Sequence, residues 1–503
     1  MGGPALRPPL RRPRAAVAPV GLDGPGNLGA AQEVRHRQRL ARSLLPAGGF
    51  GRGGVPGNGP CFRRDRSRGA VRSGAAGHRR PRRPGLHGHR CGADRCGLGA
   101  RHPAGATRRT PGRRRIGGWS GMTDVVITGL GLVTPFGPGA GVFWEALRTG
   151  RCALAAPARF DLPSEHGEPV GEVPPDAVVG VPRKRAYLAA ALSEALESAG
   201  SSGLPDDALL VLVGQAPWEP GDDPDWHEFV GPVQPRAART TYLTHACASA
   251  AFGIGFARDA IRAGLTGTAV VAGGSALNRY EYASLQAVRA ISRSAARPFD
   301  RARSGISIGE GGGAVVLEDA SRAAARGAAT DVLVAGACRR VGAGKSAASD
   351  AGLIEECVRE ALADARVDRL DHVHAHATGT PQGDQAELAA LEAVAAALGH
   401  DDLPVSSHKG AIGHLLHVSC LPAVVAAVKA LRTGETPPTA GLADPEPTKR
   451  LRLAPGRIPV DEPATAAVTS FGFGSNNSTV VLARRPNQPA GHRRAEPIGR
   501  PTW

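Results

Sequence analysis

The sequence predicts an α/β protein made of two fused halves, preceded by a long disordered leader. Two observations indicate this: short apolar strands alternate with Ala-rich helical patterns after residue 121, and the first 121 residues show no such alternation. Alternating strands and helices are typical of buried sheets covered by helices. The 364 residues of 122–485 are too many for one simple core, so we expect halves at 122–325 and 326–485, with a frayed tail at 486–503.

The leader, residues 1–121, differs sharply in charge from the rest of the chain. It holds 26 Arg, no Lys and four acidic residues, whereas the remainder holds 36 basic and 41 acidic residues. The net charge of +17 therefore averages a very basic leader and a mildly acidic body. Only 17 leader residues are Leu, Ile, Val or Phe, and low apolar content with high net charge predicts disorder.

Several interpretations of the leader remain open. The leader contains Arg without Lys, among abundant Gly, Pro and Ala, which is typical of translated GC-rich DNA. We therefore favour the interpretation that the leader is not a functional module. Met122 is then a plausible start of the protein. A nucleic-acid-binding tail would have the charge but lacks aromatic residues for base stacking. A solvated linker or docking segment is a third interpretation. A zinc site is a fourth, although the spacing fits no closed zinc pattern; its candidates are His87, His89, Cys91, Cys96 and His102.

Composition excludes other classes of protein. Eight cysteines in so long a chain are not a disulfide framework and favour a reduced, cytoplasmic protein. No run approaches 18 consecutive apolar residues, so we expect no transmembrane helix. The N-terminus has no apolar segment of the signal-peptide type, which argues against secretion.

Each element of the body follows from a local pattern. The first strand, 125–133, is a run of β-branched residues that leads into a Gly-rich turn, and helical spacing of Ala and Leu predicts a helix over 183–199. The same reasoning predicts further strands at 209–213, 268–272, 314–317, 333–335 and 373–375. It predicts further helices at 248–263, 353–365, 385–398 and 421–432, and one that ends at 325.

Cys247 is the first candidate for chemistry, because the segment 244–250 places it at the entry to a helix. Unpaired backbone N–H groups and the positive end of the helix dipole should lower the pKa of a thiol there. A thiolate would suit the transfer of acyl groups between thioesters. The alternative is that Cys247 is a small buried hydrophobe.

Three later segments also carry polar residues in suggestive places. Residues 372–387 lie where a predicted strand ends in a polar loop before a helix, which is where α/β proteins place their sites, and 406–414 are again a loop before a helix. They contain His376, Lys409 and His414. The segment 470–477 is rich in glycine, which permits close backbone approach, and its N–H groups could complete an oxyanion hole. Singly, each histidine is more often structural than catalytic.

Together, in this order, the segments resemble a β-ketoacyl synthase of the type II fatty-acid and polyketide condensing enzymes, within the thiolase-like superfamily. The resemblance runs from about Thr123 to about Ala483 and excludes the leader. It also rests on Val-Ile-Thr-Gly-Leu-Gly at 126–131, Thr-Pro-Phe-Gly at 134–137, Phe-Trp at 143–144, Arg-Pro-Phe-Asp at 297–300, Ile-Gly-Glu-Gly-Gly-Gly at 308–313, His-Ala-Thr-Gly-Thr at 376–380 and Phe-Gly-Phe-Gly at 471–474. It implies a thiolase-like fold with a layered α/β/α/β/α protomer that is usually dimeric.

The resemblance implies a mechanism and assigns its residues. Cys247 would accept an acyl chain from acyl carrier protein or coenzyme A, and His376 and His414 would bind the malonyl thioester and promote loss of carbon dioxide. The enolate would attack the Cys247 thioester in a Claisen condensation. Lys409 would support the histidines, and Phe473 would act as a gate and share the oxyanion hole with Cys247. No cofactor or metal is implied.

The remaining implications concern structure and partners. Asp384 and Glu387 match polar positions near the second loop, and we interpret them as structural. The expected partners are acyl carrier protein and a second subunit, either a copy of this chain or a ketosynthase-like protein. We expect no membrane partner and no nucleic-acid partner.

The chain departs from the family at several places around these residues. Small residues usually follow the second histidine, where this chain has His417, Val418, Ser419 and Cys420. Later in the same helix, Ala423 stands where the family commonly has an acidic residue. Before Cys247, Thr244-His245 stands where the family usually has Asp-Thr. After His376, Ala377 replaces the usual glycine. The stretches 215–244 and 338–350 are short for the family and could provide the room that His417 needs. We expect His417 and Cys420 to fill space rather than line the site.

Three other functions remain possible. The scaffold could serve an acyltransferase or thioesterase that uses Cys247 without condensation. It could be a non-condensing partner of another ketosynthase, although such partners typically lack the cysteine. The leader could bind nucleic acid. Among condensing roles, the departures favour secondary metabolism over fatty-acid synthesis.

Overall fold

The computed structural model describes residues 123–159, 167–180, 183–214, 239–343, 349–453 and 455–485, and within them twelve strands form one mixed sheet. Predictions for the leader, Met122 and the tail lie outside the described residues. The strands are β1 Val125–Thr134, β2 Gly137–Pro138, β3 Leu209–Val213, β4 Arg239–Leu243, β5 Thr268–Ser275, β6 Gly311–Asp319, β7 Val332–Val341, β8 His372–His374, β9 Leu403–Ser406, β11 Leu451–Leu453, β13 Thr465–Gly472 and β14 Asn476–Arg484. Two short strands, β10 Glu435–Thr436 and β12 Ile458–Pro459, pair separately.

The order of the strands shows that the two halves repeat one topology. The path is β11-β9-β8-β13-β14-β7-β1-β6-β5-β3-β4. In the first half, β4, β3 and β5 are parallel neighbours, and β6 and β1 then run antiparallel. In the second, β9, β8 and β13 are parallel, and β14 and β7 then run antiparallel. The boundaries 122–325 and 326–485 stay predictions.

The helices lie in layers on the sheet. They are α1 Ala140–Arg148, α2 Arg183–Ser198, α3 Ser249–Arg262, α4 Arg279–Ala287, α5 Ala320–Ala325, α6 Ala351–Ala365, α7 Pro381–Ala397, α8 Lys409–Ile412 and α9 Cys420–Thr433. α2 covers the first half of the sheet, and α6 and α7 cover the second. α3 and α9 contact each other and strands of both halves, so they form the central layer. This layering confirms the predicted α/β fold of two fused halves.

Close packing of the outer helices depends on two equivalent glycines. A Cβ atom at Gly131 of β1 would collide with the Ala191 carbonyl of α2, and one at Gly336 of β7 would collide with the Ala361 carbonyl of α6. Glycine therefore lets each helix approach its strand closely. The same device in both halves follows from their common topology.

The predicted elements are all present, although the strand predicted at 333–335 extends to Val341 and the helix predicted at 385–398 begins at Pro381, and the alternation pattern missed other elements. It did not predict α1, α4, β4, β9 or the hairpin of β13 and β14, because short or non-alternating segments carry little periodic signal. One segment, Leu416–Thr433, could cross a membrane by length and composition, and 83% of it is buried inside the protein. The criterion of an unbroken apolar run excluded it because His417 and Ser419 interrupt it.

A buried ion pair ties the central helix α3 to the second half. Arg258 is 2% exposed, and its guanidinium lies 2.6 Å from the Asp364 carboxylate of α6 and donates to the Ala335 carbonyl of β7 at 3.2 Å. The Asp364 carboxylate also accepts a hydrogen bond from the Ala337 N–H at 2.9 Å. A buried cation that loses its anion is left unsolvated, so this contact should matter for stability.

We therefore expect Asp364→Asn to lower the free energy of unfolding by about 2 kcal/mol, because the Asp364 carboxylate is 37% exposed and the buried Arg258 guanidinium would keep Asp259, at 3.4 Å, as its neighbouring anion. Asp207→Asn is the matched control, since it removes an exposed ion pair with Arg322 and should cost at most about 1 kcal/mol. Urea unfolding of the full chain measures both. Equal losses in the two variants would contradict the role given to the buried pair.

Candidate active site

Cys247 lies in the turn between β4 and α3, packed against the β13–β14 hairpin. The preceding residue, Ala246, has a φ of 47°, a left-handed conformation that turns the chain into the helix. The Ser470 hydroxyl donates to the Cys247 carbonyl at 3.0 Å. A Cβ atom at Gly472 would lie 2.7 Å from the Cys247 nitrogen, so only glycine allows the hairpin to lie this close.

The electrostatics of Cys247 correct one expectation from the sequence. We expected the helix entry to lower the pKa of the thiol. Instead, burial raises the pKa of Cys247 to about 12, with the nearby Lys409 ammonium acting in the opposite direction and Glu281 adding to the rise. Desolvation disfavours the thiolate more than the cation stabilises it. Cys247 is therefore a protonated thiol at neutral pH in the free protein.

His376 lies in the loop between β8 and α7, and its peptide groups are held from both sides. Its N–H donates to Glu387 Oε1 at 2.9 Å and to Thr469 Oγ1 at 3.0 Å. Its carbonyl accepts a hydrogen bond from Lys409 Nζ. The imidazole packs against the Phe471 ring, with 4.2 Å between centroids. The loop geometry thus fixes where the ring lies.

His414 follows α8 and is tied to the strand-like segment before β6. Its N–H donates to the Ser307 carbonyl at 2.7 Å, and its carbonyl accepts from Gly309 at 3.1 Å. The ring meets that of His376 edge to face, with 5.4 Å between centroids. The Nδ1 atoms of both rings are buried and have no hydrogen-bond partner among the described residues.

Both of these histidines are neutral at physiological pH. Burial holds the pKa of His376 well below 6.5, assisted by Lys409 and His414. Burial does the same to the pKa of His414, assisted by Lys409 and His417. A neutral imidazole carries one N–H donor and one acceptor, so each ring can donate a single hydrogen bond to a substrate oxygen.

Lys409 begins α8 and is 2% exposed. Burial lowers the pKa of its ammonium to about 8, while Glu387, Cys420 and Cys247 act to raise it. Most of the lysine is therefore still charged near pH 7. The site contains one buried cation close to the thiol and to both histidines.

Asp384 and Glu387, in the first turns of α7, hold the loop that carries His376. Asp384 accepts hydrogen bonds from the N–H groups of Thr378 and Gly379, and Glu387 accepts from those of His376 and Ala377. Burial raises the pKa of Asp384 to about 7 and also raises the pKa of Glu387. Apart from the Thr469 hydroxyl, which donates to Glu387 Oε1 at 2.6 Å, these hydrogen bonds come from backbone N–H groups.

Phe473 lies in the turn between β13 and β14 and is 41% exposed. Its carbonyl accepts a hydrogen bond from Asn476 Nδ2 at 2.7 Å. The Asn476 side-chain oxygen lies 3.1 Å from Nδ1 of His245, whose ring stacks on Phe252 with 3.9 Å between centroids. The departure at His245 therefore links the nucleophile turn to the hairpin.

Sequence reasoning missed a chain of buried histidines beside the site. His374 Nε2 lies 3.0 Å from His408 Nδ1, with the rings stacked, and His372 Nε2 lies 3.0 Å from Ser406 Oγ. Burial lowers the pKa of His372 to about 3 and holds those of His374 and His408 well below 6.5. The alternation His-Val-His in a buried strand was the available signal, since both imidazoles then face one side.

The two departures after His414 are also buried. His417 is 8% exposed, with Nδ1 3.9 Å from Glu281 Oε1, and Cys420 is 2% exposed. Burial raises the pKa of Cys420 to about 12, opposed by Lys409. Among the described residues, no cluster of three or more His, Cys, Asp or Glu side chains could hold a metal ion. The leader candidates for zinc lie outside the described residues.

Family models match two parts of the body. The model for the N-terminal domain of beta-ketoacyl synthase matches residues 237–323, and the model for its C-terminal domain matches 332–443. The Oxytetracycline polyketide putative beta-ketoacyl synthase 1 of Streptomyces rimosus is 31% identical over an alignment of 420 positions that covers 72% of this chain and 98% of that protein. The 3-oxoacyl-[acyl-carrier-protein] synthase 2 of a Synechocystis strain is 29% identical over an alignment of 416 positions that covers 72% of this chain and 98% of that protein.

Solved structures agree with these matches. The ishigamide ketosynthase/chain length factor is similar with a TM-score of 0.66 and 26% identity, covering 73% of this chain and all of that one. A beta-ketoacyl synthase from Burkholderia phymatum is similar with a TM-score of 0.63 and 24% identity, with 73% and 100% covered. These likenesses confirm the predicted thiolase-like α/β fold.

The buried neutral histidines predict that the protein loses stability in acid. In the native state their pKa values are depressed, so below about pH 6.5 protons bind mainly to the unfolded chain. From pH 7.5 to pH 5, we expect each such histidine, including His372 and His417, to cost about 2 kcal/mol of unfolding free energy. The carboxyl groups whose pKa burial raises, Asp384, Glu387 and Glu281, take up protons in the folded protein and act in the opposite direction, but the histidines are more numerous, so we expect the free energy of unfolding to fall between pH 7.5 and pH 5.

Urea unfolding monitored by circular dichroism across this pH range measures the effect. His372→Gln is the informative variant, because glutamine can keep the hydrogen bond to Ser406 Oγ but cannot titrate. Between pH 7.5 and pH 5, the free energy of unfolding should decrease in both proteins, and the decrease should be about 2 kcal/mol smaller in His372→Gln than in the wild type. A wild-type midpoint independent of pH would contradict the prediction.

Proposed function

The chain belongs to the β-ketoacyl synthase family and is a condensing acyltransferase of polyketide or fatty-acid biosynthesis, and on that premise we propose that Cys247 is its nucleophile and that His376, His414 and Lys409 form its decarboxylation site. One observation supports this assignment above the others: both Cys247 and His376 contact residues at the end of β13. Ser470 and Gly472 contact Cys247 there, and Phe471 packs against His376.

The first half-reaction is acyl transfer to Cys247. The sulfur attacks the carbonyl carbon of the donor thioester, the new C–S bond forms, and the donor thiol leaves with the proton that the cysteine gives up. Backbone N–H groups of Cys247 and Phe473 are proposed to hold the oxygen where negative charge develops. Because the thiol is protonated at rest, its proton must be lost as the bond forms, with Lys409 stabilising the developing negative charge.

The second half-reaction is decarboxylation and condensation. The malonyl thioester carbonyl would accept hydrogen bonds from His376 and His414, which stabilise the enolate formed when the bond to the carboxylate carbon breaks and carbon dioxide leaves. The enolate carbon then attacks the acyl carbonyl on Cys247. The new C–C bond lengthens the chain by two carbons, and the cysteine leaves and regains a proton. No metal or organic cofactor takes part in this scheme.

The neutral state of both histidines supports their proposed roles. A neutral imidazole donates a hydrogen bond without adding a second full positive charge beside Lys409. The peptide groups of His376, held by Glu387 and Lys409, fix the direction of its ring before substrate arrives. Such preorganisation is where most electrostatic catalysis originates.

We propose acyl carrier protein as the donor of both thioesters, as the name of the Synechocystis relative implies for that protein. We also propose a dimer, formed with a second copy or with a ketosynthase-like subunit. The relative that is a ketosynthase/chain length factor supports the second arrangement. The free thiol nucleophile suits a reducing compartment, so we propose a cytoplasmic location.

Cys247→Ala should abolish acyl transfer to the protein. Intact-protein mass spectrometry of the full chain, incubated with a panel of acyl carrier thioesters, should show one acyl adduct on the wild type and none on the variant. Cys420→Ala is the matched control, because its thiol is buried near the same lysine but is given no covalent role. It should keep the adduct. An adduct that persists in Cys247→Ala would overturn the assignment.

His376→Gln and His414→Gln should separate the two half-reactions. Each should still form the acyl adduct but lower the release of carbon dioxide from malonyl carrier protein by about 100-fold or more, because a transition-state donor is displaced. His400→Gln is the control, since His400 accepts from the Leu370 N–H outside the site. The carbon dioxide released, trapped as carbonate, and the mass of the β-ketoacyl product are measured in the same reaction. An adduct that moves only to water or to another carrier would make the protein a thioesterase or acyltransferase.

A further inference from the structure

The side chains of β13 alternate between two layers of the protein. In a β-strand, successive side chains point to opposite faces of the sheet. The even-numbered Ala466 and Val468 belong to the core cluster formed with α3 and α9, whereas the odd-numbered Ala467 belongs to the cluster formed with α6 and α7. The last four residues of the strand, 469–472, continue this alternation into the proposed catalytic site.

The even-numbered face holds the turn that carries Cys247. Ser470 is 1% exposed, and its hydroxyl donates to the Cys247 carbonyl at 3.0 Å. Two residues later, Gly472 lies so close that a Cβ atom there would be 2.7 Å from the Cys247 nitrogen. The N–H of Cys247 is one of the two groups proposed to hold the oxyanion. These two contacts therefore hold the backbone of the proposed nucleophile at its carbonyl and at its nitrogen.

The odd-numbered face holds His376. Thr469 Oγ1 accepts a hydrogen bond from the His376 N–H at 3.0 Å and donates one to Glu387 Oε1 at 2.6 Å, since a hydroxyl can do both at once. The same Glu387 oxygen accepts from the His376 N–H at 2.9 Å, so the three groups form a closed network. Two residues later, the Phe471 ring packs against the His376 imidazole.

The Thr469 hydroxyl also supports the charge of Glu387. Burial raises the pKa of Glu387, and the hydrogen bond from Thr469 opposes that rise. A hydrogen bond to an ionised carboxylate is about twice as strong as one between neutral groups. Glu387 and Lys409 hold the peptide groups of His376 from opposite sides. Neither hydrogen bond of the Thr469 hydroxyl involves Cys247, so its influence is directed to the histidine.

We propose that Thr469 and Ser470 are positioning residues for different half-reactions: Thr469 holds His376 for decarboxylation, and Ser470 holds Cys247 for acyl transfer. This inference rests on the proposed function, since it presumes that Cys247 carries the acyl chain and that His376 binds the malonyl thioester. Small displacements of a reacting group slow a reaction strongly. Because adjacent residues of one strand face opposite sides, replacement of each should slow one half-reaction and spare the other.

The test measures two rates on the full-length protein. The acylation rate is the growth of the adduct, followed by intact-protein mass spectrometry with the acyl carrier thioester that acylates the wild type fastest. The decarboxylation rate is the carbon dioxide that the acylated protein releases from malonyl carrier protein. Both rates are divided by the amount of protein that becomes acylated at the end point, so unfolded molecules are not counted.

Thr469→Val removes the hydroxyl at nearly constant shape. It should lower kcat for decarboxylation by about 10-fold and leave KM for malonyl carrier protein and the acylation rate within about twofold of the wild type. Thr469→Ser keeps the hydroxyl and should restore kcat. Thr465→Val is the matched control on the same face of β13, because its hydroxyl donates to the Arg369 carbonyl at 2.7 Å and to the Asp371 carboxylate at 3.2 Å, away from the site. It should change neither rate.

Ser470→Ala should give the opposite result. It should lower the acylation rate by about 10-fold and leave decarboxylation by the acylated protein within about twofold of the wild type. Ser478→Ala is the matched control, because Ser478 lies directly opposite Ser470 on β14, is 2% exposed and donates to the Cys338 carbonyl at 2.9 Å. It should change neither rate.

The outcomes separate this inference from the proposed function. The inference would be overturned if Thr469→Val and Ser470→Ala slowed both rates alike or neither, if the controls gave the same losses, or if Thr469→Ser failed to restore kcat. The adduct on Cys247 would then still stand. The absence of any adduct on the wild type, or undiminished release of carbon dioxide by His376→Gln, would instead overturn the proposed function. Opposite selective losses in the two variants would establish both positioning roles.

Discussion

The proposed catalytic site depends on how the peptide groups of His376 are held between two buried charges. The Glu387 carboxylate accepts the N–H, and the Lys409 ammonium donates to the carbonyl. Burial disfavours both charges, raising the pKa of Glu387 and lowering that of Lys409, and each counteracts the shift of the other. Removal of either group would leave the other charge uncompensated in the core. The same two residues therefore fix the geometry of the His376 loop and balance the charge of the site.

The duplicated topology explains why these groups meet. The turn from β4 into α3 carries Cys247, and the equivalent stretch from β9 into α9 carries Lys409 and His414. Because α3 and α9 pack against each other in the central layer, the segments that precede them are brought together. The hairpin of β13 and β14 then closes the arrangement through Ser470 and Gly472. One half supplies the proposed nucleophile, and the other supplies the cation and both histidines of the proposed site.

The sequence was sufficient for features that depend on local pattern. The strand Leu209–Val213 matched its predicted bounds, and the helices around residues 183–199 and 353–365 shifted by at most two residues. The four-residue strand β9 could not be predicted because it is short and pairs only with strands distant in sequence, and the β13–β14 hairpin was missed because its segments carry little alternating pattern. The pKa of Cys247 was predicted with the wrong sign, since a helix entry is visible in the sequence but the desolvation around it is not.

Four buried histidines beside the proposed catalytic residues share one physical consequence. Imidazoles at 372, 374, 408 and 417 place ring nitrogens in a region that excludes water, where a histidine is stable only when neutral. Three of these rings are connected through His408 and Ser406, so a fixed arrangement of protons satisfies most of their nitrogens. The fourth, His417, has Nδ1 3.9 Å from Glu281 Oε1, and its Nε2, like Nδ1 of His372 and Nε2 of His408, has no hydrogen-bond partner among the described residues. Protonation of any of these rings would put an added positive charge in the core close to Lys409, so the buried histidines couple the integrity of this region to pH.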